Sequence, residues 1–431
     1  MPPITSFTYR VLFYYSPYRT SAEFWKSEGK HWSKLQDKFI GPGPGVGAAV
    51  QQLTAPSDTQ DQKLRKLYAA VMQLENTDFT REHSATEEKS EGRGKLQNTG
   101  DILARKRGSG DQLTDLFVAM ARAAGMKAYV AVVTNRDHHI FSSSFLSLSQ
   151  LDDDIAIVNV DGKEHFFDPG SRYCPYEHLA WKHTGAGGIR QTDSATDRVT
   201  APFEPYTFSR VKRVANLNMD EQGIVTGTVT MTYAGAPALR WRHLSLTGDA
   251  TSLDRELKSS VENLLTPGID VKVGTIEHLT DYELPLTVNL EVKGLIASST
   301  GKRIVLPGDV FEANARATFP HEKRDVAVYF EYPRITMDAV RINFPPAFAV
   351  ESLPAPATYS FQKTAGYSLT TEATPTSVTF RREFALGDII FTADQYPGLR
   401  SFYGQLENKD QESVVFKAAS ATNDKPTSSA N

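Results

Sequence analysis

Ser109-Gly110-Asp111-Gln112 stands at the head of a segment whose spacing predicts a helix from Asp111 to Ala124. A helix start favours nucleophilic chemistry, because its free backbone N–H groups and dipole stabilise an anion placed there. The residue at that point is Gly110, which has no side chain to attack with. Two other nucleophiles come into question. Cys174, the single cysteine, lies in Asp168-Pro-Gly-Ser-Arg-Tyr-Cys-Pro-Tyr176, away from any helix start. A cysteine before proline reads first as a small packed apolar residue, and second as a relocated nucleophile. Ser109 reads first as a helix cap, and as a nucleophile only if a base stands nearby. The pair His138-His139 invites a metal reading, but adjacent strand histidines point apart. No His-x-x-x-His or Cys-x-x-Cys spacing accompanies them, so no metal and no cofactor is expected. By strand parity, His165 and Asp168 face opposite ways.

The elements that would position these residues follow from periodicity. Trp25, Trp32, Leu35 and Phe39 fall on one face of a predicted helix over 21–39, with Ser21 able to cap it. Gly41-Pro-Gly-Pro-Gly-Val-Gly47 lacks the ending of a phosphate loop, and its prolines remove amide donors, so it reads as a turn or linker. A second helix is predicted from Asp61 to about Leu74, and the polar stretch from Thr80 to Asn98 reads as an exposed loop. In the helix after Gly110, residues Leu113, Leu116, Phe117, Met120, Ala121 and Ala124 form a core stripe that ends at Gly125. A strand apolar on both faces, 128–133, comes next, as in a covered sheet centre. From about Thr200 alternation of period two takes over, in 224–233 and again in 284–292, with a helix over 251–265 between them. The tail from Ser420 is polar and reads as disordered.

The run Leu116-Phe-Val-Ala-Met-Ala-Arg-Ala-Ala-Gly125-Met-Lys-Ala128 resembles the transglutaminase-like (papain-like) superfamily, whose core opens with Gly-x-Cys at a helix start. The resemblance implies a cysteine at the position of Gly110, a histidine at that of Asp154 (or Asp153), and an aspartate at Asp168. Only the last keeps its type, so no intact catalytic triad is expected. The Asp161-Gly162 hairpin leading to Asp168-Pro169 fits the same pattern. Trp25-Lys26-x-Glu28-Gly29-Lys30-x-Trp32, the run from Gly227 through Tyr233 and Gly235 to Arg242, and Glu407-Asn-Lys-Asp-Gln411 are similar to a bacterial architecture with flanking uncharacterised β domains. The implied fold class is α+β, a transglutaminase-like core followed by all-β sandwich domains. The expected division is a junction over 1–60, a core over 61–200, β domains over 201–325 and 326–418, and a tail over 419–431. Through the family, the resemblance suggests the periplasm or cell envelope. The abrupt strand-like opening at Phe7–Tyr15 suggests a piece of a longer exported protein.

With 47 basic and 51 acidic residues the net charge is −4, which gives no electrostatic ground for nucleic-acid binding. No run is apolar enough to span a bilayer. A single cysteine excludes an intrachain disulfide. Three readings stay open. The first is a non-catalytic protein that binds a protein, peptide or envelope glycan through the former cleft, at Ser109, Gly110, Asp111, Gln112, Asp153, Asp154 and Asp168. There Asp152-Asp153-Asp154 would favour a cationic ligand. The second is an acyl-transfer or amide-hydrolysing enzyme with a relocated nucleophile, and the third a structural spacer.

Overall fold

The computed structural model describes residues 17–41, 43–81, 86–87, 94–300 and 303–419, together with Pro3. The strand expected at 7–15, most of the charged run 87–94 and the tail from Ser420 lie outside them. The first half of the chain is built around helix α5 (Gly110–Ala123), whose Leu113, Leu116, Phe117 and Met120 are buried as the stripe requires. Ser109 caps it reciprocally with Gln112, which satisfies two of the end's orphan amides. α5 packs on one face of an antiparallel five-stranded sheet. Its strands are β1 (Ala128–Val133), β2 (Asp153–Val160), β3 (Lys163–Phe167), β4 (Gly187–Gln191) and β5 (Thr196–Thr200), in the order β3-β2-β1-β4-β5. β1 lies at the centre, and both its faces are covered. Ala128 and Val130 face the helical side, while Ala131 and Val133 meet Leu179, Ala186 and Ala201. Asp161 and Gly162 both take positive φ in the two-residue hairpin between β2 and β3, the conformation that an Asp-Gly turn supplies.

Helix α1 (Ser21–Ile40) turns differently from expectation. Its N-cap is Thr20, while the Ser21 hydroxyl donates to the Ser143 carbonyl. Phe24, Trp25, Gly29 and Ile40 are its buried residues, and Leu35 is 56% exposed. The helix leans on the sheet edge through Trp25 and Ile189, which places the predicted stripe partly off the contact. The glycine-proline segment also holds more structure than a linker: α2 (Val46–Leu53) starts inside it and buries Val46 and Val50. α3 (Gln60–Met72) and α4 (Thr99–Arg105) complete the helical layer.

The second half forms one eight-stranded sheet rather than two separate β domains. Its strands are β6 (Arg210–Met219), β7 (Ile224–Ala234), β8 (Asp270–Glu277), β9 (Leu286–Leu295), β10 (Arg334–Asn343), β11 (Ala357–Phe361), β12 (Ala365–Ala373) and β13 (Ser377–Leu386), in the order β8-β9-β7-β6-β10-β13-β12-β11. β6 and β10 pair in parallel, the other neighbours antiparallel. The expected boundary at 325/326 therefore falls in a crossover connection. Had β6 and β10 belonged to separate sheets, each would have exposed an unpaired edge. Helices α6 (Ala236–Thr247) and α7 (Ala250–Glu262) accompany the first four strands, with Leu253, Leu257 and Val261 in the core. Helix α8 (Tyr396–Asp410) covers the outer strands. A four-stranded sheet including 303–307, 348–352 and 413–418 adds Val414 and Phe416 to the central core.

A row of buried charges crosses the parallel seam. Arg213 on β6 and Arg382 on β13 are both register partners of Asp338 on β10. The Arg213 guanidinium donates to both Asp338 carboxylate oxygens, at 2.5 and 2.7 Å, and to Glu312. Arg382 donates twice to Asp410 at the end of α8, each at 2.9 Å, and once to Asp338. Removing one member of such a buried set leaves uncompensated charge. Asp338→Ala should therefore lower stability by roughly 3–5 kcal/mol in denaturant unfolding, and Asp338→Asn by less; a loss below about 1 kcal/mol would show that the row does not hold the seam.

Candidate active-site cleft

The loop after β3 brings Asp168-Pro169-Gly170 back against the start of α5, and two glycines meet there. A Cβ on Gly110 would lie 2.9 Å from the Gly170 carbonyl oxygen and 2.9 Å from Oδ2 of Asp78. A Cβ on Gly170 would lie 2.6 Å from the Gly110 carbonyl oxygen. All three distances are shorter than real side chains accept, so the close approach of the backbones needs glycine on both sides. Asn76 fixes the contact by donating its amide to the Gly170 carbonyl at 2.8 Å. Asp78 stands on a single turn of 3-10 helix, 77–79, and accepts the Gly110 N–H at 2.8 Å. A carboxylate thus occupies the helix-start anion position at which a thiolate would be stabilised.

Asp168 is fully buried and accepts from the Ser171 and Ala180 amides. Its Oδ2 also lies 2.6 Å from Nδ1 of His183. The other ring nitrogen, Nε2, lies 2.8 Å from Oδ2 of Asp153, which also accepts from Lys182 at 2.9 Å and from Asn135 at 3.0 Å. Ionised carboxylates only accept hydrogen bonds, so both His183 nitrogens carry protons and the ring is an imidazolium. Burial alone would lower its pKa, but the carboxylates of Asp168 and Asp153 outweigh burial and raise it from 6.5 to about 9. Burial likewise opposes ionisation of Asp153 and Asp168, and His183 and Lys182 reverse this and hold both carboxyls below the usual range.

A second group of carboxyls behaves in the opposite way. Asp154 is buried, accepts from the Gln36 amide at 2.7 Å, and donates its own N–H to Asp111 Oδ1 at 2.9 Å. Burial, reinforced by Asp111 and Asp115, raises its pKa well above the ordinary value. Burial also raises Asp111, and Asp115 more strongly; Oδ1 of Asp115 has no partner among the described residues. This wall of the cleft is therefore pushed toward neutral carboxylic acids. From the second half of the chain, His243 on α6 closes the opposite side. Its Nε2 lies 2.6 Å from the Arg172 carbonyl, and its ring packs on Phe79 at 4.5 Å. The carbonyl fixes the proton on Nε2, and burial lowers the pKa to about 4.

Of these residues, Asp78, Gly110, Gly170, Lys182, His183 and His243 and the carboxyls of Asp111, Asp153, Asp154 and Asp168 line a cavity of about 390 Å³. Of the site residues predicted from sequence, Gly110, Asp111, Asp153, Asp154 and Asp168 border it. Ser109 and Gln112 do not; each side chain accepts the other's backbone N–H in the helix cap. Cys174 is buried, its Sγ lies 3.4 Å from the His178 carbonyl, and burial pushes its thiol pKa well up. His165 meets Glu177 instead of Asp168. Sequence reasoning weighed His138, His139 and His165 and passed over His183, Lys182, Asp78 and His243. The available signal was slight: His183 stands in Trp181-Lys182-His183-Thr184, a short step past Asp168 in a segment without helix or strand. Among the described residues, no group of three or more His, Cys, Asp or Glu side chains has the arrangement of a metal site.

Residues 302–416 match the model of a family described as a domain of unknown function with a solved structure, DUF3858. No curated protein matches the chain. Among solved structures, it is similar to one from Parabacteroides distasonis ATCC 8503, described as a "putative protease". The identity is 12% and the TM-score 0.50, over 90% of this chain and 58% of that one. The chain thus spans less than two thirds of that structure's length. At this identity the likeness is one of fold: a mixed α+β chain rich in sheet, loosely consistent with the transglutaminase-like resemblance. No helix among the described residues is long and apolar enough to cross a membrane.

Two measurements test the geometry. Gly110→Cys should destabilise the protein by about 1–3 kcal/mol, the usual cost of forcing atoms into filled space. Unfolding in denaturant would show it, and an unchanged midpoint would mean that Asp78 and the Gly170 loop give way. The second concerns pH. Because the His183 pKa is raised on folding, its stabilisation is complete below 6.5 and is lost as pH climbs through about 9. That shift corresponds to roughly 3 kcal/mol. Between pH 6 and 9.5 the wild type should lose about that much more stability than His183→Gln, and parallel stability curves would refute the imidazolium.

Proposed function

We infer that the chain is a catalytically degenerate transglutaminase-like protein that uses the former active-site cleft to bind a cationic group of a partner, such as a lysine side chain of a peptide or protein. The observation that carries this reading is the filled space at Gly110. Asp78 and the Gly170 carbonyl stand where a cysteine side chain would project, and acyl transfer has no first step without a nucleophile. The state of His183 supports it further. An imidazolium with both N–H groups held by carboxylates has no lone pair to take a proton from a thiol. Cys174 and Ser109, the two candidates for a relocated nucleophile, are a buried thiol of raised pKa and a hydroxyl engaged in a helix cap.

Charge supports the choice of ligand. The cavity is lined by the carboxyls of Asp78, Asp111, Asp137, Asp153, Asp154 and Asp168 against the cations Lys182 and His183. Asp137 is exposed, and no cation pairs with it among the described residues. A cleft with low-dielectric walls concentrates such a field, so an ammonium entering it gains more than it would at an open surface. Likeness of fold to a structure described as a "putative protease" is compatible with descent from a peptide-handling enzyme.

Calorimetric titration with Nα-acetyl-lysine methylamide tests this reading, with the norleucine analogue as neutral control. The lysine probe should bind, weaken as salt rises, and lose at least about tenfold in affinity when Asp137→Asn and Asp78→Asn are combined. Equal binding of the two probes would overturn the ligand assignment and favour a structural role. A covalent adduct trapped on Cys174 or Ser109 by iodoacetamide or a fluorophosphonate, together with amide turnover, would overturn the non-catalytic reading.

A further inference from the structure

A second cavity, of about 380 Å³, opens far from the cleft, between the strands of the parallel seam and helix α8. Its floor is the buried charge row, through Arg213, Arg382 and Asp410. Four of the five residues of Glu407-Asn408-Lys409-Asp410-Gln411, singled out in the sequence, line it; Lys409 instead pairs with Glu412. The cleft described above uses none of them.

Two features of this cavity are left without internal partners. Arg334, at the start of β10, has no hydrogen-bonded or ion-paired partner for its guanidinium among the described residues, and it lies over the Phe330 ring at 5.4 Å. Arg213 and Arg382 below it are each committed to carboxylates. The second feature is Tyr403, which is 5% exposed and lines the same cavity. Its hydroxyl is buried with no hydrogen-bond partner, and it lies near enough to Arg334, Glu407 and Arg382 to feel their charges. A buried phenol usually finds a partner, since an unsatisfied buried hydroxyl forfeits its bond to water without replacing it. Arg213 and Arg382 are offset by Asp338, Asp410 and Glu312, and of the lining arginines Arg334 and Arg316 have no carboxylate partner among the described residues. Phe384 and Leu406 supply an apolar side.

We propose that this cavity is a binding site for a monocarboxylate ligand, its carboxylate taken by the Arg334 guanidinium and the Tyr403 hydroxyl and its body lying along Phe384 and Leu406. The planar guanidinium fork matches a carboxylate in two parallel hydrogen bonds. A monoanion suits the site better than a dianion, whose second charge would meet Glu407, Glu312 and Asp410 as like charges.

Titration of the full chain with sodium benzoate and with sodium D-glucuronate, two bodies carrying the same head group, tests the site. Benzamide and inorganic phosphate serve as the neutral and dianionic controls. At least one carboxylate should bind more tightly than both controls. Arg334→Gln should then weaken it at least about tenfold, and Tyr403→Phe, which keeps the ring and its packing, about threefold or more. Circular dichroism and thermal unfolding would verify that both variants fold. Absence of binding by both carboxylates, tighter binding of phosphate, or affinity unchanged in both variants would overturn the assignment.

Discussion

The ion chain Asp168–His183–Asp153 is the interaction on which the first half of the molecule depends. It joins the end of β3, the start of β2 and the loop before β4 through side chains. A buried imidazolium is costly alone, and so is a buried carboxylate such as Asp168. Held at 2.6 and 2.8 Å, the imidazolium and its two carboxylates compensate one another. The loop that carries Gly170 is anchored through Asp168, whose carboxylate also accepts the Ser171 and Ala180 amides. The position of Gly170 against Gly110, and with it the shape of the cleft, follows from that anchor.

The same geometry shows how the helix start at Gly110 is satisfied with no side chain at that position. Free N–H groups at the head of a buried helix need an acceptor whether or not chemistry is done there. Asp78 supplies the acceptor for Gly110, and the capping box supplies those for Ser109 and Gln112. Once a carboxylate fills the position, a side chain at 110 has nowhere to go, and glycine becomes a packing requirement. The pull of Asp78 on the helix start and the closure of the glycine contact by Asn76 come from one short segment, 76–78.

Much of the framework was legible in the chain. The α5 stripe, the central strand, the Asp-Gly hairpin and the alternating strands follow from periodicities of 3.6 and 2, which burial on one face enforces. What was not legible came from contacts between distant segments. Leu35 kept helical spacing yet lies exposed, because only the docking of α1 on the sheet edge decides which arc of the helix is covered. The joining of β6 to β10 is a pairing of strands separated by more than a hundred residues, and local alternation carries no information about partner choice. His183 escaped notice for a related reason: it sits in irregular backbone, and its meaning comes only from the two carboxylates the fold brings to it. Asp168, by contrast, was marked through the transglutaminase-like resemblance, whose pattern reaches an Asp-Pro after an Asp-Gly hairpin.

The chain handles buried charge in two opposite ways, and the contrast says where each half is open to a ligand. In the first half the cations are consumed: His183 and Lys182 are both bound to carboxylates, and an acidic surplus faces the cleft. In the second half the carboxylates are consumed, since Asp338, Asp410 and Glu312 are spent on Arg213 and Arg382, and arginine is left over at the rim. Such rows are weak evidence for stability in themselves, because apolar residues of equal volume would often hold a core as well. Beside each set lies a charge with no ion-pair partner among the described residues, Asp137 in one cavity and Arg334 in the other. Asn135 ties the first of them to its network, since its side chain donates to Asp153 and accepts the Asp137 N–H.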